Sequence, residues 1–412
     1  PVMTGFIRVE RLVIRGAAFR LLIISRRGVR RCGRRLTRRG VDTHGAVANF
    51  VETEQRVEVG DRVLSFVQAR GSVPVIWYQP ADLSKTPGLK LFSADGSEDS
   101  SRSLMSCQRH LASLTEAYGA VTLVNLLNQR GHEAPLERAM ADVVERLKAQ
   151  SQHELHYVAF DFHRRCSWKN FSRVQELVDE VQNDMDRYGY YAAKAGRCLQ
   201  RQEGVLRTNC LDCLDRTNVA QAVFARRVLT QQLHSEGILP LSAQIHDEPL
   251  LENSFRDLWA SNGDACSAQY TGTAALKGDF TRTGRRTAWG LLMDGAIVLK
   301  RYYINRFQDG AIQDAIDILL GCASVTDLSQ SPWSKRSAEQ PSSSLLVTVT
   351  KGVLLVALAM ILITMLGPQS VTLNVRLAQT LVWLLLTLGF VRYVLVHGSE
   401  YVTKPCLTRD DA

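Results

Sequence analysis

The chain carries Arg207-Thr-Asn-Cys-Leu-Asp-Cys-Leu-Asp-Arg-Thr-Asn218, and a largely apolar stretch, Val219–Leu229, follows directly. Cys210 and Arg216 stand five residues apart at the entrance to a helical pattern. That spacing lets the loop curl until its backbone N–H groups converge on one anion, with the positive end of the helix behind them. The guanidinium of Arg216 can then grip two phosphate oxygens at once. The same positive surroundings favour a thiolate at Cys210. A thiolate facing a bound phosphate is set for in-line attack and a phosphocysteine intermediate. The loop residues Leu211, Asp212, Cys213, Leu214 and Asp215, together with Arg216, would stabilise the equatorial oxygens, so the chemistry needs no metal or cofactor.

Other readings of these residues stand beside that one. Cys210 and Cys213 form a Cys-x-x-Cys, which serves in redox pairs and as half of a zinc site. No second such pair occurs, and no Cys or His cluster completes four ligands. Cys213 could condense with an oxidised Cys210 or simply pack under the loop. Protonation of a leaving oxygen needs an acid. Asp212 and Asp215 inside the loop are the candidates, Asp161 is the one outside it, and each could equally be a structural acceptor. His163 reads as a packed or loop-orienting histidine. Thr208, Asn209, Thr217 and Asn218 are placed to buttress the loop by hydrogen bonds. Lys277 and Arg282, with Arg285 and Arg286, make a second basic cluster that is either a headgroup contact or a solvated turn.

Outward from the loop, strand-like runs at Phe19–Ile24, Val73–Tyr78, Ala120–Leu127 and His156–Phe162 alternate with helical patterns such as Leu136–Gln150 and Phe171–Tyr188. That alternation predicts an α/β fold around a largely parallel sheet flanked by helices. With 412 residues, 45% hydrophobic and 22% charged, the chain is no disordered tail, collagen or small disulfide scaffold. Nine cysteines, an odd number spread thinly, point to a reducing compartment. The net charge of +9 is localised: residues 1–70 hold 15 Arg against 6 acids, and the remainder balances. We expect the Arg20–Arg39 segment to meet an anionic bilayer surface. Nucleic acid is disfavoured because no recognised binding motif accompanies the charge.

The C-terminal region changes solvent. Leu345–Leu366 and Leu377–Val396 are each about the ~20 residues that cross a bilayer core, joined by the short loop Gly367–Arg376. Lys335, Arg336 and Lys351 flank the entry and Arg392, Lys404 and Arg409 the exit, so both ends are expected in the cytosol. Residues 327–344, rich in Ser and Pro, read as a linker, and 397–412 as a cytosolic tail. The chain begins at Pro1 with no signal-peptide pattern, which suggests a fragment.

The run RTNCLDCLDRTNVAQ (207–221) resembles the catalytic signature of Sac-domain phosphoinositide phosphatases. The likeness extends through IISRR (23–27), GVDTHGAVANFVETEQ (40–55), SFVQARGSVPV (65–75), VNLLNQRG (124–131) and YVAFDFH (157–163). It continues in QEGVLRTN (202–209), the stretch 259–287 and DGAIQDAIDILLG (309–321). With the apolar hairpin behind it, the chain is most similar to the suppressor-of-actin type, integral to endoplasmic reticulum and Golgi membranes. The resemblance implies hydrolysis of phosphatidylinositol 4-phosphate, with 3-phosphate and 3,5-bisphosphate as lesser substrates. It also implies a catalytic domain at 61–326, preceded at 1–60 by the end of a truncated β-rich N-terminal lobe. The chain departs from the family after FDFH, where Arg164-Arg165-Cys166-Ser167 follows, with Lys169 nearby and Phe171 where the family has Trp. Two alternatives are a non-catalytic membrane module that binds phosphoinositide or protein, and a protein phosphatase using the same loop.

Overall fold

The structure, a computed structural model, describes residues 1–91, 97–150, 155–166, 173–212, 214–283, 287–322, 341–366 and 373–406. Cys213, Lys169, Phe171, Arg285, Arg286, linker residues 327–340, loop residues 367–372 and tail residues 407–412 lie outside them. The chain forms two compact units, residues 1–79 with 89–301, and residues 80–88 with 302–412.

The first unit is built on a nine-stranded mixed sheet. Val2–Ile14 (β1), Ala17–Gly28 (β2), Val51–Val59 (β3) and Arg62–Arg70 (β4) pair antiparallel in sequence order. Tight turns at positive-φ Gly16 and Gly60 join the hairpins. Beyond β4 the direction changes: Gly204–Asn209 (β11) runs parallel to β4 and to Ala120–Asn125 (β7), which pairs parallel with His156–Ala159 (β8). The hairpin Tyr191–Lys194 (β9) and Arg197–Gln200 (β10) joins β4 antiparallel. The sheet is therefore parallel only in the half that leads to the loop, and it runs unbroken through residue 60. Within Val73–Tyr78 only Trp77–Tyr78 (β5) is strand, paired with Lys90–Leu91 (β6). Pro74 has no N–H to donate to a ladder.

The parallel half is apolar on both faces, as a doubly covered sheet requires. Val121, Leu123 and Val205 pack under Ser97–Tyr118 (α1) and Ala134–Gln150 (α2), against Leu114, Leu136, Met140 and Val144. Val124 and Leu206 face Val174–Tyr188 (α4) and Asp215–Ser235 (α5), meeting Leu177, Val181 and Phe224. The antiparallel half buries Leu21, Ile23 and Val57 against α5 and Pro249–Thr271 (α6).

The N-terminal arginines do not form the cationic face expected from their number. Arg27, Arg34 and Arg39 are buried. Arg8 pairs with Glu10 and Asp257, Arg15 with Glu248, Arg20 with Glu58, and Arg26 with Glu52 and Glu54. Glu10, Glu52, Glu54 and Glu58 within the segment, and Glu248 and Asp257 from outside it, thus tie several of these arginines into ion pairs.

In the second unit, Tyr302 and Arg306 sit beside the 80–88 segment, and Asp309–Leu319 (α9) beside the residues after the last helix. Tyr302 Oη donates to Leu83 O at 2.7 Å and Arg306 Nη2 to Ser84 O at 2.8 Å. The Thr403 N–H donates to Arg306 O at 2.7 Å, and the Cys406 N–H to the Asp314 carboxylate at 3.0 Å. Pro341–Leu366 and Leu373–Val396 are both helical, with the Thr364 and Thr380 hydroxyls 3.3 Å apart. Asn374–Val396 is long and apolar enough to cross a membrane, whereas the apolar core described in the first helix is the shorter Leu355–Met365.

Candidate active site

The parallel strand β11 ends at Asn209 between β4 and β7. Open α/β sheets place ligands outside such carboxyl ends. Cys210 follows at once, and α5 begins at Asp215. Leu214 at its N-cap is apolar and supplies no capping hydrogen bond, so the first-turn N–H groups carry the helix's positive end uncapped by a side chain. In that turn Thr217 Oγ1 donates to Cys210 Sγ at 3.3 Å. The thiol is buried and lines a cavity of about 460 Å³ whose walls include His163, Asp215, Arg216, Asn218 and Lys277.

Arg216 reaches the cavity with half of its fork engaged. Its Nη1 donates to Glu133 Oε2 at 2.8 Å and to Leu126 O at 2.9 Å, while Nη2 donates to Glu133 Oε1 at 2.6 Å. The end-on edge of the guanidinium is thus held by a carboxylate. The lateral edge, Nε with the second Nη2 hydrogen, has no hydrogen-bond partner among the described residues and is the bidentate edge available to an anion. Burial alone would lower the pKa of Arg216. The charge of Cys210 and the Glu133 pair outweigh it and raise the value, so the guanidinium stays charged.

The two loop aspartates occupy opposite environments. Asp212 accepts from Arg35 Nε at 2.9 Å and from Arg39 Nη2 at 2.7 Å. Burial would raise its pKa, but Arg35 and Arg39 dominate and hold the carboxyl well below the usual range. Arg39 also donates to Leu211 O at 2.9 Å, clamping the loop from the strand side. Asp215 is shifted the other way: burial, aided by Asp212, raises its pKa against the pull of Arg301, the Leu276 N–H and Lys277. Its Oδ1 accepts the Leu276 N–H at 2.9 Å. An ionised Asp212 suits an anchor, and a protonatable Asp215 in the cavity wall suits an acid.

The remaining predicted residues separate by role. Asp161 caps the short helix Phe162–Arg165 by accepting the Arg164 N–H at 3.1 Å, and it also takes the Gln129 N–H at 3.1 Å. His163 Nδ1 meets Asn128 Oδ1 at 3.0 Å; burial and the nearby Arg216 lower its pKa, favouring the neutral ring. Asn209 donates to Asn125 Oδ1 at 2.6 Å, and Asn218 accepts from the buried Arg70. The Thr208 hydroxyl is buried without a hydrogen-bond partner among the described residues. Lys277 lines the cavity, but Arg282 is paired with Asp257 at 3.0 Å and Asp264 at 2.6 Å, which commits its charge elsewhere.

Sequence reasoning missed Glu133, Arg35, Arg39 and Arg70. It also missed Arg207 as a support: fully buried, it donates to Gly71 O at 3.0 Å and Ser72 O at 2.7 Å, and its Nε to His110 Nε2 at 3.3 Å. That contact and His110 Nδ1, 3.0 Å from Gly45 O, require the neutral Nδ1–H ring. Burial and Arg207 favour the same state by pushing the imidazole pKa down.

This constellation sits in a chain with clear relatives. The SacI homology domain matches residues 1–167. Phosphatidylinositol-3-phosphatase SAC1-A of Danio rerio is 40% identical over 100% of this chain and 68% of its own length. Phosphatidylinositol-3-phosphatase SAC1 of Drosophila melanogaster is 38% identical over 99% of the chain and 67% of its own. The chain belongs to the Sac1-type phosphoinositide phosphatase family. Phosphoinositide phosphatase SAC8 of Arabidopsis thaliana, 35% identical over 99% of the chain, extends the likeness to plants. In this Sac-family chain the signature loop therefore stands where a parallel strand delivers it to a helix N-terminus.

Proposed function

We propose that the chain removes a phosphate monoester from the inositol headgroup of a phosphoinositide through a phosphocysteine at Cys210. The observation that carries this reading is the placement of Cys210 Sγ beside the uncapped start of α5, with the charged Arg216 presenting a lateral edge in the same cavity. Cys210 as thiolate attacks phosphorus in line while the bond to the inositol oxygen breaks. Asp215 gives its proton to that oxygen, releasing the alcohol. A water then attacks the phosphocysteine, Asp215 takes up its proton, and inorganic phosphate leaves with the thiolate restored. The N–H groups of α5 and Arg216 hold the equatorial oxygens throughout.

The substrates proposed are phosphatidylinositol 4-phosphate first, then the 3-phosphate and the 3,5-bisphosphate; the names of the relatives support the 3-phosphate. Lys277 is the proposed headgroup contact. We place the catalytic unit on the cytosolic face of endoplasmic reticulum and Golgi membranes, anchored by a two-span hairpin. Support comes from the second unit, where Thr403 and Cys406 bond to Arg306 and Asp314. Residues after the last helix thus return to residues before the first apolar one, an arrangement that a two-span hairpin accommodates.

The test is phosphate release from the phosphoinositides by the purified chain. Cys210→Ser should abolish turnover, since a hydroxyl is far less ionised than a thiol in the same loop. Arg216→Lys should fail as well, because a point charge cannot replace a planar edge. Near-normal release by Cys210→Ser would sink the phosphocysteine route, and equal turnover of phosphotyrosine peptides would favour a protein phosphatase.

A further inference from the structure

Ala288–Phe307 (α8) is amphipathic in the wrong sense for a helix in water. Asp294 and Arg301 are turned toward the rest of the unit: Asp294 Oδ1 accepts the Lys277 N–H at 2.9 Å. The buried Arg301 donates to Thr273 Oγ1 at 2.9 Å and to Ala274 O at 2.8 Å. Its apolar side chains face out. Trp289 is 69% exposed, Leu292 63% and Leu299 72%, with Leu291, Met293 and Val298 also exposed between them. A surface helix ordinarily shows the reverse, and a contiguous exposed apolar face marks an interaction site.

We propose that this outward face of α8 is a membrane-contact surface that seats the mouth of the catalytic cavity on the lipid bilayer. The inference rests on the phosphoinositide reading of the Cys210 site. Three observations select lipid as the occupant. First, the apolar face and the cavity rim are mechanically joined. Lys277 lines the cavity and is bonded to Asp294, and the carboxylate of Asp279, from the short helix Gly278–Thr283 (α7), lies directly against Gly290, where a Cβ would collide with it. Second, a phosphoinositide whose acyl chains stay in the bilayer reaches Cys210 only if that rim meets the membrane surface. Third, Lys300 is exposed at the end of the apolar stretch, a cation suited to anionic headgroups. The helix is not among those apolar enough to span, so it lies in the plane of the interface.

The test uses the full chain reconstituted in phosphatidylcholine–phosphatidylserine vesicles carrying phosphatidylinositol 4-phosphate, and, in parallel, a water-soluble short-chain form of the same substrate. The double variant Leu292→Glu/Leu299→Glu should lower turnover on vesicles by about tenfold, since two exposed leucines no longer enter the lipid, and leave short-chain turnover unchanged. Equal loss on both substrates, or loss on neither, would overturn the proposal. Brominated lipids supply a readout independent of activity. The Trp289 component, isolated as wild type minus Trp289→Phe, should be quenched. An unquenched component means that another part of the chain, or water, occupies the face, and it overturns the proposal. If wild type hydrolyses neither substrate, the functional reading fails while the quenching still decides the surface.

Discussion

Asp212 and Asp215 lie three residues apart in one loop, and their neighbours divide the work between them. With Arg35 and Arg39 against it, Asp212 is an ionised strut. Its depressed pKa contributes stability that is present above the ordinary carboxylate range and lost as pH falls through the lowered folded value. Asp212→Asn takes the carboxylate partner from the buried Arg39 and should cost about 3 kcal/mol. In urea titrations the wild-type midpoint should fall on acidification more than that of the variant. For Asp215 the sign is opposite. Its raised pKa keeps the acid form to higher pH, so turnover should decline as pH rises through that value. Asp215→Asn should lower kcat on phosphoinositide by about 10²-fold and remove this alkaline decline. On an aryl phosphate, whose leaving group needs no proton, the loss should be much smaller. An equal loss on both substrates would move the acid elsewhere.

The packing of α5 against its neighbours keeps the loop in shape. Arg70 at the end of β4 donates to Asn218 in the first turn of α5, and Asn218 lies directly against Gly263 of α6. A methyl group there would run into Asn218 Nδ2, so the close approach of α6 to α5 requires glycine at this point. Gly263→Ala should destabilise the unit by about 1–3 kcal/mol through overpacking, seen as a lower Tm. Phosphate release should fall with it, because Asn218 is pushed off Arg70 in a turn that also holds Arg216 and Thr217. Unchanged turnover in the folded variant would show that Asn218 has no hold on the loop.

Across the whole molecule, the proposed hairpin makes a topological prediction. On vesicles with the cytosolic face outward, an impermeant thiol reagent should label a cysteine introduced at position 334 or 408 and spare one at 369. Labelling at 369 with protection of both ends would invert the orientation. The contact of Cys406 with Asp314 adds that positions 404 to 406 should report the same face as α9.

What the sequence by itself determined is local. The step from the Cys210 loop into α5 was legible because loop and helix are contiguous in the chain, whereas the strand β11 that delivers the loop was not among the runs read as strands. The apolar character of the C-terminal segments was legible from composition over about twenty residues, and of the two Asn374–Val396 is long and apolar enough to cross a membrane while the apolar core described in the other is the shorter Leu355–Met365. Tertiary structure alone decided how each charge is used. Arg35 and Arg39, read as a bilayer-facing surface, hold Asp212 from more than 170 positions away. Glu133, unremarked in its short turn, occupies the end-on edge of Arg216 and leaves the lateral one unbonded among the described residues. The choice between Asp212 and Asp215 as acid rests on burial and on those distant guanidinium groups. A pKa is the sum of desolvation and the charges that surround a group in space, and neighbours in space are not neighbours in the chain.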